Sequence, residues 1–470
     1  MLHKCKLVLI IGITLLTIVT FIACDKAADR EAMKESDASA VDGSSPDPSE
    51  TAEDAEIEGN ADRDGNTDRD GNTDRAEDTV TGDADSEASA INGPEGKDTD
   101  NIQTEITSSK AYMESYKATG GLPSLAEVYK DSFRMGVALS KDDILNKDKA
   151  QLVSYQFNSI TCENEMKADF TLDRAASIAA GNELSPVLNM KNADPALTFA
   201  RENGLQMRYH TLVWHGQTPR WLFTEGYDNA PEAPFVSREV MLARMENYIR
   251  QAMEYVNTNY PGAVYAWDVV NEAIEPGDGH ADKIRTANNY WYEVIGEDFI
   301  ELAFTFARRY AAPEQKLFYN DYGTYDKPKL SAIYNLLSKL KEKGLIDGIG
   351  MQDHIQLTYP AILDYQYAIN KYAELEIELQ VTELDIYTSE DSEEEQQKLA
   401  ARYKTIMTML QKCDEKGSAN ITSVTFWGLT DDRSWLNNDG VPSYPLLFNK
   451  ELEPKPAFFG VLQDESIKLY

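Results

Sequence analysis

The chain has 470 residues, with 80 acidic against 45 basic side chains and a formal net charge of −35. That length admits one large domain or several small ones. The charge excludes nucleic acid as a partner, because gripping phosphates requires a positive surface.

At the N-terminus, Lys4 and Lys6 precede an uncharged apolar run from Leu7 to Ala23, closed by Phe21-Ile22-Ala23-Cys24. The run is short for a membrane-spanning helix, which needs about 20 residues, and it fits a secretory signal. A small residue before a cysteine resembles the bacterial lipobox, although Phe21 stands where leucine is usual. That resemblance implies a lipoprotein signal peptide over residues 1–24 and a lipid on Cys24, anchoring the protein to a membrane outside the cytoplasm. A plain signal peptide or an uncleaved anchor is the alternative.

From Asp25 to Ser108 there are 26 acidic and 7 basic residues and no aromatic ones. Such a segment cannot bury enough surface to offset its ordering entropy. Residues 25–110 are therefore expected to be a disordered acidic linker with a span of roughly 50 Å as a flexible coil, holding the rest of the protein away from its anchor. Within it, Asp62-Arg63-Asp64-Gly65-Asn66-Thr67 repeats as Asp68-Arg69-Asp70-Gly71-Asn72-Thr73. The pattern has a calcium-loop flavour, but its glycine is misplaced and no helices flank it, so it reads as duplicated low-complexity linker.

Beyond about Leu122, apolar β-rich runs alternate with amphipathic helical stretches. The spacing predicts strands at Phe133–Leu139, Phe157–Cys162, Gln206–Trp214, Ala263–Val270, Lys316–Asn320, Gly348–Met351, Glu376–Thr382 and Ile421–Trp427. Helices are predicted between them, for example over Arg238–Asn257, Asp298–Tyr310 and Ser331–Gly344. Eight β/α repeats imply a (β/α)8 TIM barrel over residues 111–470, an α/β fold. An open doubly wound sheet would gather its polar residues at one switch point, and no Gly-x-Gly-x-x-Gly follows the first strand. Cys162 and Cys413 are expected to be two buried thiols. Neither is flanked by histidines at zinc spacing, and no metal or other cofactor is expected.

Polar residues collect at the ends of the runs. The second ends in Glu163, Asn164, Glu165 and Lys167, and the third offers His210, Trp214, His215 and Gln217. The fourth gives Asn271 and Glu272, and the fifth Asn320, Asp321 and Tyr322. Gln352 and His354 follow the sixth, Glu383 and Asp385 close the seventh, and Trp427, Arg433 and Trp435 follow the eighth. Glu272 and Glu383 each stand at or just past the end of a strand. Two such carboxylates are what retaining glycoside hydrolysis needs, one protonated to release the leaving group and one ionised to attack the sugar. Either glutamate taken alone reads as a surface ion pair.

The motifs together resemble glycoside hydrolase family 10, the endo-β-1,4-xylanases. Phe157 to Lys167 is similar to that family's second strand, and His210-Thr211-Leu212-Val213-Trp214-His215-Gly216-Gln217 to its third. Trp267 to Ala273, Gly350 to His354, Val381 to Ile386 and Thr425 to Trp435 are similar to later ones. The resemblance runs from about Leu122 to Val461. It implies that Glu272 is the general acid/base and Glu383 the nucleophile, with His354 donating to Glu383 and Asp385 orienting that histidine. Asn271 would hold the sugar 2-hydroxyl and Gln352 would support Glu272. Glu163, Asn164, Lys167, His210 and Gln217 would form the polar floor for the sugar units on the non-reducing side of the scissile bond, unless they serve only as an internal ion-pair network. Trp214, Trp427 and Trp435 would wall the sugar, the last two crowding the place where glucose carries its hydroxymethyl group. Tyr322 would shape the reducing-end (aglycone) side.

His215 is expected to order its loop from within. Trp221, Trp267, Asp268 and Trp291 read as packing, and Glu390 to Glu395 as a solvated helix start. The implied partners are xylan and xylo-oligosaccharides, met by a monomeric catalytic domain. A family member acting on mixed-linkage or cellulosic glucans is the alternative, and a non-catalytic glycan-binding lipoprotein is a further one.

Overall fold

A computed structural model describes residues 121–437, 441–465 and 467–469. The expected signal peptide, Cys24 and the expected linker over 25–110 lie outside the described residues, as does the start of the expected domain at 111–120. Among the described residues no helix is long and apolar enough to cross a membrane.

Eight strands run β1 (Arg134–Leu139), β2 (Ser159–Cys162), β3 (Gln206–Tyr209), β4 (Val264–Asn271), β5 (Lys316–Asp321), β6 (Gly348–Met351), β7 (Glu378–Tyr387) and β8 (Ile421–Phe426). Each pairs in parallel with the next, and β8 pairs in parallel with β1, which closes the sheet. Helices follow in turn: α1 (Lys147–Gln156), α2 (Asp194–Asn203), α3 (Arg238–Asn259), α4 (Phe299–Tyr310), α5 (Lys327–Glu342), α6 (Ile362–Ala373), α7 (Glu393–Glu415) and α8 (Pro456–Val461). This is the (β/α)8 barrel expected from the alternation.

The helix ends follow from local chemistry. Ser237 caps α3 by accepting from the Val240 N–H, and Ser392 caps α7 by accepting from that of Glu395. Each such cap is worth about 1 kcal/mol. Glu393, Glu394 and Glu395 occupy the first turn of α7, where the helix dipole favours negative charge, so the acidic stretch is a helix start as expected. In α4, buried Phe299, Ile300, Ala303, Phe304 and Ala307 share one face at helical spacing. Against that layer the strands turn Trp267, fully buried and stacked on Tyr209 with centroids 4.4 Å apart. Trp221 and Trp291 are also buried packing residues, and Cys162 and Cys413 are buried free thiols.

The third and seventh strands depart furthest from their predicted bounds, for visible reasons. The third run is interrupted after Tyr209 and pairs again only at Val213–Trp214. In between, the Leu212 N–H and the Thr211 hydroxyl both bond the Asp268 carbonyl. The seventh runs on to Tyr387 because a short piece, His354–Gln356, pairs with residues 385–387.

The barrel interior is largely polar. Near the bottom, the Tyr265 hydroxyl lies 3.2 Å from that of Ser159 and 3.3 Å from that of Ser423. Above it, fully buried Arg208 donates to Asp268 on the neighbouring strand and to Gln380 across the lumen. The top layer is the site described next. Gly350 on β6 makes room for it: a Cβ there would lie 2.2 Å from Asn320 Oδ1 and 2.9 Å from the Thr382 methyl.

Candidate active site

Both glutamate-bearing strands break the two-residue pleat just before the mouth. On β4 the register against β5 shifts between Asp268 and Val270. Asp268 and Asn271 are three apart, a spacing that an unbroken pleat sends to opposite faces. With the extra residue, Asp268 meets His210 Nδ1 at 3.1 Å and Asn271 meets Asn320 at 2.9 Å. On β7 the register against β8 shifts between Val381 and Leu384. The adjacent residues Thr382 and Glu383 then both reach Asn320, at 2.6 and 2.7 Å. Such bulges re-aim side chains and are common beside active sites.

Glu383 is buried and accepts from Asn320 Nδ2 at 2.7 Å and from His354 Nε2 at 3.2 Å, with His210 Nδ1 4.0 Å away. Burial alone would raise its pKa. The His210 and His354 rings and the Asn320 amide outweigh burial and hold it down at about 2. His354 is the counterpart. Burial opposes its charge, but Asp385 and Glu383 push its pKa up to about 10. Its Nδ1 stands 3.0 Å from Asp385 in an ion-pair contact, and Asp385 also accepts from Trp435 Nε1 at 2.8 Å.

Glu272 accepts from Trp214 Nε1 at 2.9 Å, Gln352 Nε2 at 2.8 Å and Asn271 Nδ2 at 3.2 Å. Its backbone is left-handed, with φ 54°, a conformation that costs a residue bearing a Cβ about 1–2 kcal/mol. Three bonds impose it. The Glu272 N–H donates to the Asn320 carbonyl, Arg285 Nε donates to the Glu272 carbonyl at 3.0 Å, and the Ala273 N–H donates to the Tyr319 hydroxyl. Arg285 also binds the Tyr322 hydroxyl at 2.8 Å and Glu275 at 3.1 Å.

On the far side, Lys167 Nζ donates to Gln217 at 2.7 Å and Asn164 at 3.2 Å, and lies 4.9 Å from the Trp214 ring centroid. Burial lowers its pKa. Burial, with the Asp143 and Glu165 carboxylates nearby, pushes Glu163 up to about 7. Lys167, Asn164 and Gln217 therefore bond one another and face the cavity at once. His215 lies edge-on to Trp214, and burial together with Arg285 lowers its pKa to about 4, so it is neutral near pH 7.

One cavity of about 660 Å³ gathers the predicted set. Both glutamates line it, as do Asn271, Gln352 and His354, the floor residues Glu163, Asn164, Lys167, His210 and Gln217, and the aromatic Trp214, Tyr322, Trp427 and Trp435. Asp385 stands behind His354, where it was expected to orient that ring. A second cavity of about 760 Å³, beside Asp431 and Lys455, is lined by neither glutamate. Asn320 and Arg285 carry geometry that the motifs did not single out. Asn320 was visible at the end of a strand without a role, and Arg285 had no signal at all. Asp268, read as packing, supports His210 from below.

Residues 124–464 match the family described as Glycosyl hydrolase family 10. The chain belongs to that family. It is 43% identical over 352 residues to endo-1,4-beta-xylanase B of Butyrivibrio fibrisolvens, covering 73% of this chain and 54% of that protein. It is 42% identical over 309 residues to a putative endo-1,4-beta-xylanase of Caldicellulosiruptor saccharolyticus, covering 63% of this chain and 96% of that one. The chain spans about half the length of the Butyrivibrio protein, and 32% of endo-1,4-beta-xylanase A of Thermotoga maritima. Among solved structures, the CBM22-1–GH10 modules of Clostridium thermocellum xylanase 10B, complexed with xylohexaose, superpose with a TM-score of 0.66 at 34% identity. That match covers 73% of this chain and 68% of the other. TsXylA, an intracellular xylanase from Thermoanaerobacterium saccharolyticum, gives 0.63 at 35% identity and covers 73% and 98%.

In this family 10 chain, Asn320→Ala removes a hydrogen bond to the Glu383 carboxylate, worth about 1.5–3 kcal/mol. The carboxylate loses stabilisation, so its pKa rises. The acid limb of the kcat/KM–pH profile is expected to move to higher pH, with kcat/KM falling about 10–100-fold. A profile identical to wild type contradicts this role.

Proposed function

We propose that the chain is an endo-1,4-β-xylanase that hydrolyses internal β-1,4-xylosidic bonds of xylan and xylo-oligosaccharides with retention of configuration. The observation that carries this reading is the unequal treatment of two carboxyl groups in one cavity. Glu383 is kept ionised by His210, His354 and Asn320, while Glu272 lines the same cavity among Trp214, Gln352 and Asn271. In the first step a Glu383 oxygen bonds to the anomeric carbon as the glycosidic bond breaks, and Glu272 gives its proton to the departing sugar oxygen. In the second, Glu272 takes a proton from water, the water oxygen bonds to the anomeric carbon, and Glu383 leaves. By the family resemblance, Asn271 would hold the sugar 2-hydroxyl.

Family membership and the xylanase relatives support xylan as the substrate. Trp427 is buried, and Trp435 is half exposed and 4.8 Å from the His354 ring; the family resemblance implies that these two crowd the place of a glucose hydroxymethyl group. Cleavage of xylan is therefore expected to exceed that of carboxymethyl-cellulose by a wide margin. Equal rates would favour the glucan reading. Glu272→Ala is expected to lower kcat/KM on xylan by about 10²–10⁴-fold, and to affect kcat/KM on an aryl xylobioside with a good leaving group far less. Equal losses on both would remove the acid role.

We further propose that Cys24 carries the lipid that holds this activity at a membrane. The apolar run ending at Ala23 supports it. Expressed in a bacterial host, the wild type is expected in the detergent phase of a Triton X-114 partition and Cys24→Ala in the aqueous phase. Wild type in the aqueous phase, or both proteins partitioning alike, contradicts it.

A further inference from the structure

The cavity does not end at Tyr322. Tyr325 and Asp326 also line it, and both support a residue beyond its rim. The Tyr359 ring lies edge-on to Tyr325, with centroids 5.6 Å apart and planes at 80°. Its hydroxyl donates to Asp326. The backbone beneath is pinned on both sides: the Gln356 N–H donates to the Tyr359 carbonyl at 2.8 Å, and Arg402 of α7 donates to the Pro360 carbonyl at 2.5 Å. Despite these ties Tyr359 remains 49% exposed. A large ring fixed at its edge, its hydroxyl and its backbone has lost its rotamer freedom before any ligand arrives, so a partner that lands on it incurs little further ordering cost.

Position decides which partner. In an eight-stranded barrel, β2 and β6 face each other across the axis. Glu163, Asn164 and Lys167 follow β2, and Tyr359 follows β6. A chain lying across the mouth from the β2 floor, past Glu272 and Glu383, leaves over Tyr322 and Tyr325 towards Tyr359. We propose that Tyr359, backed by Tyr325 and Asp326, is an additional aglycone-side binding position for the same xylan chain, stacking on the face of a xylose unit beyond the cavity while Asp326 accepts from its hydroxyls. A pyranose presents C–H groups to such a ring, and a tyrosine offers an apolar face with a polar edge. This inference rests on the xylanase reading.

The test compares wild type, Tyr359→Ala and Tyr359→Phe on two substrates: xylohexaose labelled at its reducing end, and an aryl β-xylobioside whose aglycone is too short to reach Tyr359. For Tyr359→Ala, the ratio of kcat/KM on xylohexaose to that on the aryl glycoside is expected to fall about 3–10-fold. Cleavage of the labelled hexaose is expected to shift towards the reducing end, because fewer units are held on that side. Tyr359→Phe, which keeps the ring, is expected to retain most of the ratio and the wild-type cleavage pattern. An unchanged ratio and pattern in Tyr359→Ala overturns the binding position while leaving the xylanase reading intact, as does an equal loss on both substrates. A wild type that cleaves neither substrate overturns the xylanase reading, and this inference with it.

Discussion

A carboxylate enclosed by protein takes up a proton unless something nearby makes its charge worth keeping. Glu383 is in that position, and much of the upper barrel is arranged around its charge. Asn320 comes from β5, His354 from just after β6 and His210 from just after β3, so three separate strands must be in register for the charge to survive. Their own partners extend further. Asp385 and Trp435 hold His354, while Asp268 and Arg208 stand under His210. The polar middle of the barrel is therefore the footing of the site, where an apolar filling would leave His210 without a partner.

That requirement explains why β4 and β7 abandon regular alternation. A straight strand turns every second residue inward. The site needs Asp268 and Asn271 inside on one strand, and Thr382 and Glu383 inside on the other. One extra residue in each strand provides this. Glu272 then turns into a left-handed conformation, held by bonds at its N–H, at its carbonyl and at the following N–H. Arg285 joins this clamp to Tyr322 and so couples the Glu272 backbone to that side of the cavity. Asn320 joins the two halves, since its amide nitrogen bonds Asn271 and Glu383 and its carbonyl oxygen accepts from Thr382.

Much of this was legible in the residues. The sixth strand, Gly348–Met351, has the bounds that its apolar run predicts, and the acidic start of α7 follows from Ser392 and the glutamates after it. The mouth residues were readable because they end strands within long, ordered motifs. What escaped notice depends on register and distant partners. A bulge leaves no mark on a hydrophobic run, so the inward turn of both Thr382 and Glu383 was not visible. The seventh strand outran its prediction because its last residues pair with His354–Gln356, a partner set by the fold. Arg285 lies outside any motif and acquires its place only when the loop after β4 folds back onto Glu272.

We propose that Glu383, kept ionised by its neighbours, forms the bond to sugar. A 2-deoxy-2-fluoro-β-xylobioside with a good leaving group slows the second step more than the first and so accumulates the glycosyl-enzyme. Mass spectrometry of the digested protein is predicted to find one fluoroxylobiosyl adduct, on the peptide containing Glu383. An adduct on any other residue, or inactivation-free turnover with inverted product, would contradict the account.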